Sequence, residues 1–227
     1  MGIVLNIETA TKNCSVSVAD GINILAFKEL NEGMFSHAEK LHTFIIDVLA
    51  AAGLAMKDLD AVAVSKGPGS YTGLRIGVSA AKGLCYAMDI PLISIPTLKC
   101  LALQIPINTG DYIVPLLDAR RMEVYSAVFD GLHNEVRETE AEIIDKESFA
   151  ELLEKGKVCF LGDGAEKCKE FIKHANAEFL KRRYPSAQEM AVLADEKYSK
   201  ADFEDLAYFE PFYLKDFVAG KPKNYFK

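Results

Sequence analysis

Residues 3–27 read IVLNIETATKNCSVSVADGINILAF, and three successive β-strands are predicted from this segment alone. Residues 3–7 form an apolar, β-branched run, and residues 14–19 alternate with the period of two that a strand requires. The Asp-Gly pair that follows supplies the positive φ of a tight hairpin. Residues 22–27 then form the returning strand, so an antiparallel arrangement is expected.

The same pattern returns about halfway along the chain. Residues 113–117 form an apolar run, residues 123–129 alternate, and a second Asp-Gly pair follows. A shift of 110 residues superposes strand, acidic residue, strand and turn, and it places Glu8 on Asp118. Four features that match in order indicate a structural duplication.

Helices and further strands are predicted after each set of strands. Apolar residues at helical spacing predict an amphipathic helix from Leu41 to Ala52, with Ser36 as its N-cap. The other predicted elements of the first half are a strand over 61–64, a helix over 71–88, a strand over 92–95 and a helix from Thr97. Those of the second half are helices over 148–153, 165–173 and 186–198 and a strand over 158–161.

This order of elements predicts an α/β fold of two lobes, each with a mixed sheet. Two lobes that each begin with strand, acidic turn and hairpin resemble the actin-like ATPase (ASKHA) architecture. We expect a partner-binding N-terminal lobe over residues 1–104 and a C-terminal lobe over residues 105–227. The C-terminal segment is expected to pack back onto the first lobe.

Composition excludes several classes of protein. The 227 residues are 50% hydrophobic and 26% charged, and the net charge of −7 disfavours binding of nucleic acid by the chain alone. The sequence has no apolar run of the ~20 residues that a membrane span needs and no signal-peptide pattern. Its five cysteines never form CxxC, which is typical of reduced thiols. A cytoplasmic protein without membrane contact is expected.

The two acidic turns occupy the positions at which actin-like proteins bind nucleotide phosphates. Neither Glu8–Asn13 nor Asp118–Arg121 contains a glycine, although close approach of backbone N–H groups to phosphate favours small residues. We interpret them as vestigial turns in which the acids cap their own loops, with a working ATPase cleft as the alternative. The candidate residues are Glu8, Thr9, Asp118 and Arg120.

A glycine-rich loop, KGPGSYTGLR (residues 66–75), connects a predicted strand to a predicted helix. Exposed N–H groups there could hold an anion, but the Gly-Lys-Ser/Thr of a Walker loop is absent. The favoured interpretation is a tight turn with Ser70 or Thr72 as helix cap. The loop residues of interest are Gly67, Gly69, Ser70, Thr72 and Arg75.

Small residues mark a candidate partner interface. Each mid-helix glycine costs about 1 kcal/mol relative to alanine, so Gly77 and Gly83 indicate that another helix approaches closely, either within the chain or in a partner. One stripe of the second helix and one of the preceding helix form the predicted interface with a partner or a second copy of the chain. Its residues are Gly73, Gly77, Ala80, Leu84 and Ala87, with His42, Ile46, Ala50 and Gly53.

Metal and nucleophile chemistry is not expected. His37 and His42 are five residues apart and so point about 140° from each other on a helix, which prevents them from sharing one ion. The sequence also lacks a GxSxG nucleophile elbow. No metal and no cofactor is predicted. The basic cluster at residues 181–183 and the terminal Lys221, Lys223 and Lys227 are interpreted as solvated side chains.

Several longer segments carry a family resemblance. They are IETA (7–10) with Cys14-Ser15, HAEKL (37–41), KGPGSYTGLRIG (66–77), PTL (96–98), LDARRMEVY (117–125), GDG (162–164) and EPFYL (210–214). In these segments the chain resembles the bacterial TsaB (YeaZ) family, which takes part in forming N6-threonylcarbamoyladenosine in tRNA. Glu8 departs from the aspartate usual in that family.

The resemblance implies an actin-like, two-lobed scaffold without a catalytic centre of its own. It implies that helices of the N-terminal lobe bind a TsaD-like transferase subunit and that a TsaE-like ATPase docks on the pair. It also implies a homodimer when the partner is absent, and contact with tRNA only through the complex. The alternatives are an autonomous small-molecule kinase or ATPase of the same fold, a glycoprotease-like peptidase, and a homodimeric structural protein.

Overall fold

The computed structural model describes residues 2–31, 37–106, 108–181 and 183–215, and within these ranges the strands form two five-stranded mixed sheets. The first sheet contains β1 (Ile3–Glu8), β2 (Cys14–Asp20), β3 (Asn23–Leu30), β4 (Ala61–Gly67) and β5 (Leu92–Pro96). The second contains β6 (Tyr112–Asp118), β7 (Glu123–Asp130), β8 (Glu135–Ile143), β9 (Val158–Leu161) and β10 (Ala177–Phe179).

The two sheets share one topology, which confirms the predicted duplication. Their strand orders are β3-β2-β1-β4-β5 and β8-β7-β6-β9-β10. In each sheet the first strand pairs antiparallel with the second and parallel with the fourth. The α/β fold with two actin-like lobes is therefore confirmed.

The helices lie on both faces of the first sheet, between the two sheets and against the second sheet. They are α1 (His37–Ala52), α2 (Tyr71–Met88), α3 (Thr97–Ala102), α4 (Ala150–Lys155), α5 (Ala165–Cys168) and α6 (Ala187–Ser199), with a 3₁₀ turn at Met56–Asp58. Helices α1 and α2 share a core with one face, in which Leu5, Leu41 and Val78 are buried. On the opposite face, Met190 of α6 packs with Val4.

Helix α3 connects the two sheets. Its residues Leu98 and Leu101 pack against Ile113 and Phe129 of the second sheet. Helix α6 follows the second sheet in sequence but contacts the strands of the first sheet. The division of the chain at residues 104 and 105 remains a prediction.

Two elements of the second lobe differ from the sequence prediction. Helix α5 ends at Cys168 instead of continuing to residue 173, and the N–H groups of Phe171 and Ile172 both donate to the Cys168 carbonyl at 3.0 Å in turns. These turns still bury Ile172, so the apolar spacing did not require a longer helix. Strand β10 was not predicted, because three residues that pair only with β9 carry no periodicity of their own.

Some predicted features lie outside the described residues: Ser36 as N-cap, Arg182 of the basic cluster, and Lys221, Lys223 and Lys227. Lys181 and Arg183 are exposed. Among the described helices, we find none with the length and apolarity needed to cross a membrane.

Candidate functional site

The first acidic turn is built around a buried carboxyl group at the end of β1. Glu8 is fully buried. Its Oε1 accepts a hydrogen bond from the Ala10 N–H at 2.5 Å, and its Oε2 accepts one from the Ser65 hydroxyl of β4. Burial raises the pKa of Glu8 from 4.5 to about 7, against the opposing effect of these hydrogen bonds. Glu8 therefore caps its own turn.

The second acidic turn has a matching cap but a different environment. Asp118 is exposed, and its Oδ1 accepts from the Arg120 N–H at 2.8 Å and pairs with Lys167 Nζ at 2.5 Å. The Asp118 N–H donates to Asp163 Oδ1 at 2.9 Å. Burial raises the pKa of Asp163; the hydrogen bond from the Asp118 N–H lowers it, and the charge of the Asp118 carboxylate raises it. The interpretation that both acids cap their own turns is confirmed.

The glycine-rich loop lies directly on the first turn. The Ser70 N–H donates to the Ala10 carbonyl at 2.6 Å, and a Cβ at Gly69 would lie 2.4 Å from that same oxygen. Ser70 is the N-cap of α2 and accepts from the Gly73 N–H, as one of the two predicted caps. The N–H groups of Ser70 and Gly73 therefore have acceptors within the chain, which agrees with the favoured interpretation of a tight turn capped by Ser70.

Both turns and the glycine loop line one cleft between the lobes. Its volume is about 490 Å³. The lining includes Thr11, Lys12, Ser70, Thr72, Asp118, Arg120, Asp163, Phe212, Tyr213 and Lys215. Glu8 and Thr9 lie behind this surface, where both are fully buried.

Residues 209–215, the strap, cross the rim of the cleft. The Phe212 N–H donates to the Lys66 carbonyl of the first lobe at 2.7 Å, and Lys215 pairs with Glu123 of the second lobe. The strap therefore connects the two lobes at the cleft.

Sequence reasoning assigned no role to Asp163 or Lys167, and of the C-terminal segment that contains the strap it expected only packing onto the first lobe. The sequence did point to two of these positions, because Asp163 lies in the GDG segment and Tyr213 lies in the EPFYL segment, both of which carry the family resemblance. The Tyr213 ring lies 5.1 Å from that of Tyr71, and the Arg75 guanidinium lies 4.9 Å from the Tyr71 ring.

The glycine stripe of α2 needs a correction. Gly73 and Gly77 are both buried. A Cβ at Gly73 would lie 2.1 Å from the Thr9 carbonyl oxygen, and a Cβ at Gly77 would lie 2.2 Å from the Thr9 hydroxyl oxygen. Thr9 Oγ1 also donates to the Gly73 carbonyl at 2.8 Å. The first turn, not another helix, explains these two glycines, so Gly73 and Gly77 cannot contact a partner.

The rest of the predicted interface forms an open surface, here named the α1–α2 face. Ile46 is 61% exposed. Gly83 of α2, which was not among the predicted interface residues, is also exposed and has no atom within 4 Å of the position a Cβ would take. His42, Ala50, Gly53 and Ala87 are exposed, and Ala80 and Leu84 are half-buried against the core.

The five cysteines and His37 are buried within the fold. All five cysteines are buried and free, and burial raises the pKa values of Cys14, Cys85 and Cys159 to about 11. His37 is buried and its Nε2 lies 2.6 Å from the Thr11 carbonyl oxygen, whereas His42 is exposed. Among the described residues, no group of three or more potential His, Cys, Asp or Glu ligands converges.

Two sheets of one topology, with a cleft lined by residues of both lobes, define a two-lobed protein of the actin-like class. The model of the family "TsaD: tRNA N6-adenosine threonylcarbamoyltransferase" matches residues 35–223. The tRNA threonylcarbamoyladenosine biosynthesis protein TsaB of Escherichia coli (strain K12) is 29% identical to this chain over 96% of each sequence. TsaB of Bacillus subtilis (strain 168) is 38% identical over 94 residues, which cover 41% of each sequence.

Solved structures agree with this match at the level of the fold. An uncharacterized Pseudomonas aeruginosa protein with similarity to peptidase YeaZ superposes with a TM-score of 0.83 at 23% identity, over 95% of this chain and 100% of the other. YeaZ from Pseudomonas aeruginosa superposes with a TM-score of 0.79 at 22% identity, over 94% and 100% of the two chains. The chain belongs to the TsaD family and, within it, to the TsaB (YeaZ) group.

The buried carboxyl group of Glu8 leads to a prediction about stability and pH. Because its pKa is raised in the folded chain, the folded state holds this proton more tightly than the unfolded state. Its stabilising effect is complete below about pH 4.5 and is lost as the pH rises to about 7. Relative to a Glu8→Gln variant, the wild type should therefore lose about 3 kcal/mol of unfolding free energy across this range.

Urea denaturation of both proteins at about pH 5 and about pH 8 measures this difference, since groups common to both proteins cancel. A difference between the two free energies that stays constant with pH would contradict a raised pKa at Glu8.

Proposed function

We propose that this chain is the TsaB-type subunit of the machinery that forms threonylcarbamoyladenosine in tRNA. In this proposal it has no catalytic centre of its own and acts by binding and stabilising a TsaD-type transferase subunit. The TsaB names of its relatives and the match to the TsaD family support this assignment. A TsaE-type ATPase docks on the pair, and tRNA is reached only through the complex.

The observation that carries the binding role is the open α1–α2 face. Ile46 and Ala87 are exposed on adjacent helices, and Gly83 leaves the backbone of α2 uncovered. Small residues allow a partner helix to approach closely, and an apolar centre supplies most of the binding free energy of an interface. The same face would pair two copies of the chain when the partner is absent.

The turns that line the cleft also support a scaffold role, because several of their polar groups bind within the chain. Glu8 is directed into the core, the Ser70 N–H is bound to the Ala10 carbonyl, and the strap crosses the rim. A phosphate-binding cleft needs free N–H groups at its turns. At these turns the N–H groups of Ala10, Ser70, Asp118 and Arg120 are bound within the chain.

Reconstitution of tRNA modification tests the proposal. The full set of partner proteins is combined with this chain omitted and then restored, and threonylcarbamoyladenosine is measured in the tRNA. We expect formation to depend on the chain, while the chain alone modifies no tRNA. Modification at an unchanged rate without the chain would contradict the proposal.

Calorimetry of the isolated chain with ATP and magnesium distinguishes the scaffold role from the main alternative, an autonomous enzyme that acts on nucleotide. Micromolar binding followed by turnover would favour an autonomous kinase or ATPase over a scaffold.

A further inference from the structure

The strap is held firmly by the first lobe. Phe209 packs against the core of the first sheet, and its carbonyl accepts a hydrogen bond from Lys82 Nζ at 3.0 Å. The Phe212 N–H donates to the Lys66 carbonyl at 2.7 Å. The Phe212 carbonyl oxygen lies 2.7 Å from the position that a Cβ at Gly67 would take, so it can approach only because residue 67 is a glycine. These contacts attach the strap to the end of β4 and to α2.

The far end of the strap reaches the second lobe through an ion pair. Lys215 Nζ pairs with Glu123 Oε2 at the start of β7, and the two side chains are 41% and 21% exposed. An ion pair this open to solvent contributes little, because water and salt screen it and two long side chains must be ordered to form it. The strap therefore has a firm end on the first lobe and a weak, charge-dependent end on the second.

Helix α3 joins the same two lobes by buried apolar contacts. Its Cys100 packs with Ile93 in a core of the first sheet, and its Leu98 and Leu101 pack with Phe129 of the second sheet. All of these side chains are buried, and the residues of α3 are not part of the cleft lining. Two bodies that are tightly packed at one place and weakly held at the rim of a cleft can rotate about the tight contact.

We propose that the strap is a latch that sets the angle between the lobes. While Lys215 is paired with Glu123, the rim of the cleft is closed as in this structure. When the pair breaks, the strap stays on the first lobe and the lobes separate at the rim, with α3 as the pivot. This proposal goes beyond the scaffold function and does not depend on it, because the isolated chain shows the motion without a partner.

The test measures the distance between the lobes of the full chain by double electron–electron resonance. Spin labels are attached to Ser79→Cys of α2 and Glu166→Cys of α5, two exposed positions on helices that begin beside the cleft. The five native cysteines are buried, so the label reacts with the introduced thiols. We expect one main distance at low salt. A longer distance should grow about two- to fivefold in fraction as sodium chloride rises from about 0.05 M to about 1 M.

Variants then assign this change to the latch. Glu123→Gln and Lys215→Met should each raise the fraction of the longer distance about two- to fivefold at low salt. The double variant should show no larger change than either single variant, because all three lose the same contact. The matched control is Lys28→Met, which breaks an exposed ion pair with Asp47 inside the first lobe and should leave the distances unchanged. An unchanged melting temperature shows which variants are folded.

Four outcomes would overturn the proposal. They are equal distances in the wild type at low and high salt, unchanged distances in the folded pair variants, effects of the two single variants that add in the double variant, and an equal change in Lys28→Met. The salt series on the wild type decides the first of these even if a variant fails to fold.

Discussion

Replacing Ile46 by arginine is expected to lower the affinity of the chain for a TsaD-type subunit by about 100-fold or more. Ile46 lies on the α1–α2 face and is 61% exposed. Arginine at this position would place a positive charge in the proposed interface, where binding would remove it from water. Binding is measured by calorimetry with the purified partner.

The chain offers a matched control in Ile22, which is 56% exposed at the turn between β2 and β3. Ile22→Arg should change the affinity by less than about twofold, and both variants should keep the wild-type stability because surface substitutions rarely exceed ~0.5 kcal/mol. Equal losses in both variants would indicate a nonspecific effect, and unchanged affinity of Ile46→Arg would remove this face from the proposed interface.

Gly73→Ala should destabilise the isolated chain by about 3 kcal/mol or more. The added Cβ would lie 2.1 Å from the Thr9 carbonyl oxygen, and backbone there cannot move without disturbing the turn that Glu8 caps. Gly83→Ala makes the same change on the same helix, where the new methyl group meets no atom within 4 Å. It should stabilise the chain by about 1 kcal/mol, because alanine is the better helix former.

Urea denaturation of the two glycine variants measures both effects. If Gly73→Ala were as stable as the wild type, the close contact between α2 and the first turn would be incorrect.

The contact between α2 and Thr9 also limits which variants can test the interface. From sequence alone, Gly77→Leu is a suitable interface variant, but its side chain would collide with Thr9 and report on folding instead of binding.

Much of the fold follows from local patterns. The alternation in residues 14–19 and the Asp-Gly turns predicted the three-stranded beginning of each sheet, and the predicted helix over residues 71–88 has the same bounds as α2. These features depend on interactions between residues close in sequence, so the sequence reports them directly. The cap interactions of Glu8 and Asp118 are of the same kind, since each carboxylate binds an N–H two residues further on.

The sequence by itself determined the duplication, the class of fold, the two capped turns and the two helices of the candidate face. Only the tertiary structure decided which residues cover each surface: Thr9 fills the space beside Gly73 and Gly77, and α6 and the strap are the parts of the C-terminal segment that contact the first lobe. The reason is physical. Periodicity tells which side of an element is apolar or small, whereas the segment that packs there can come from any distance along the chain.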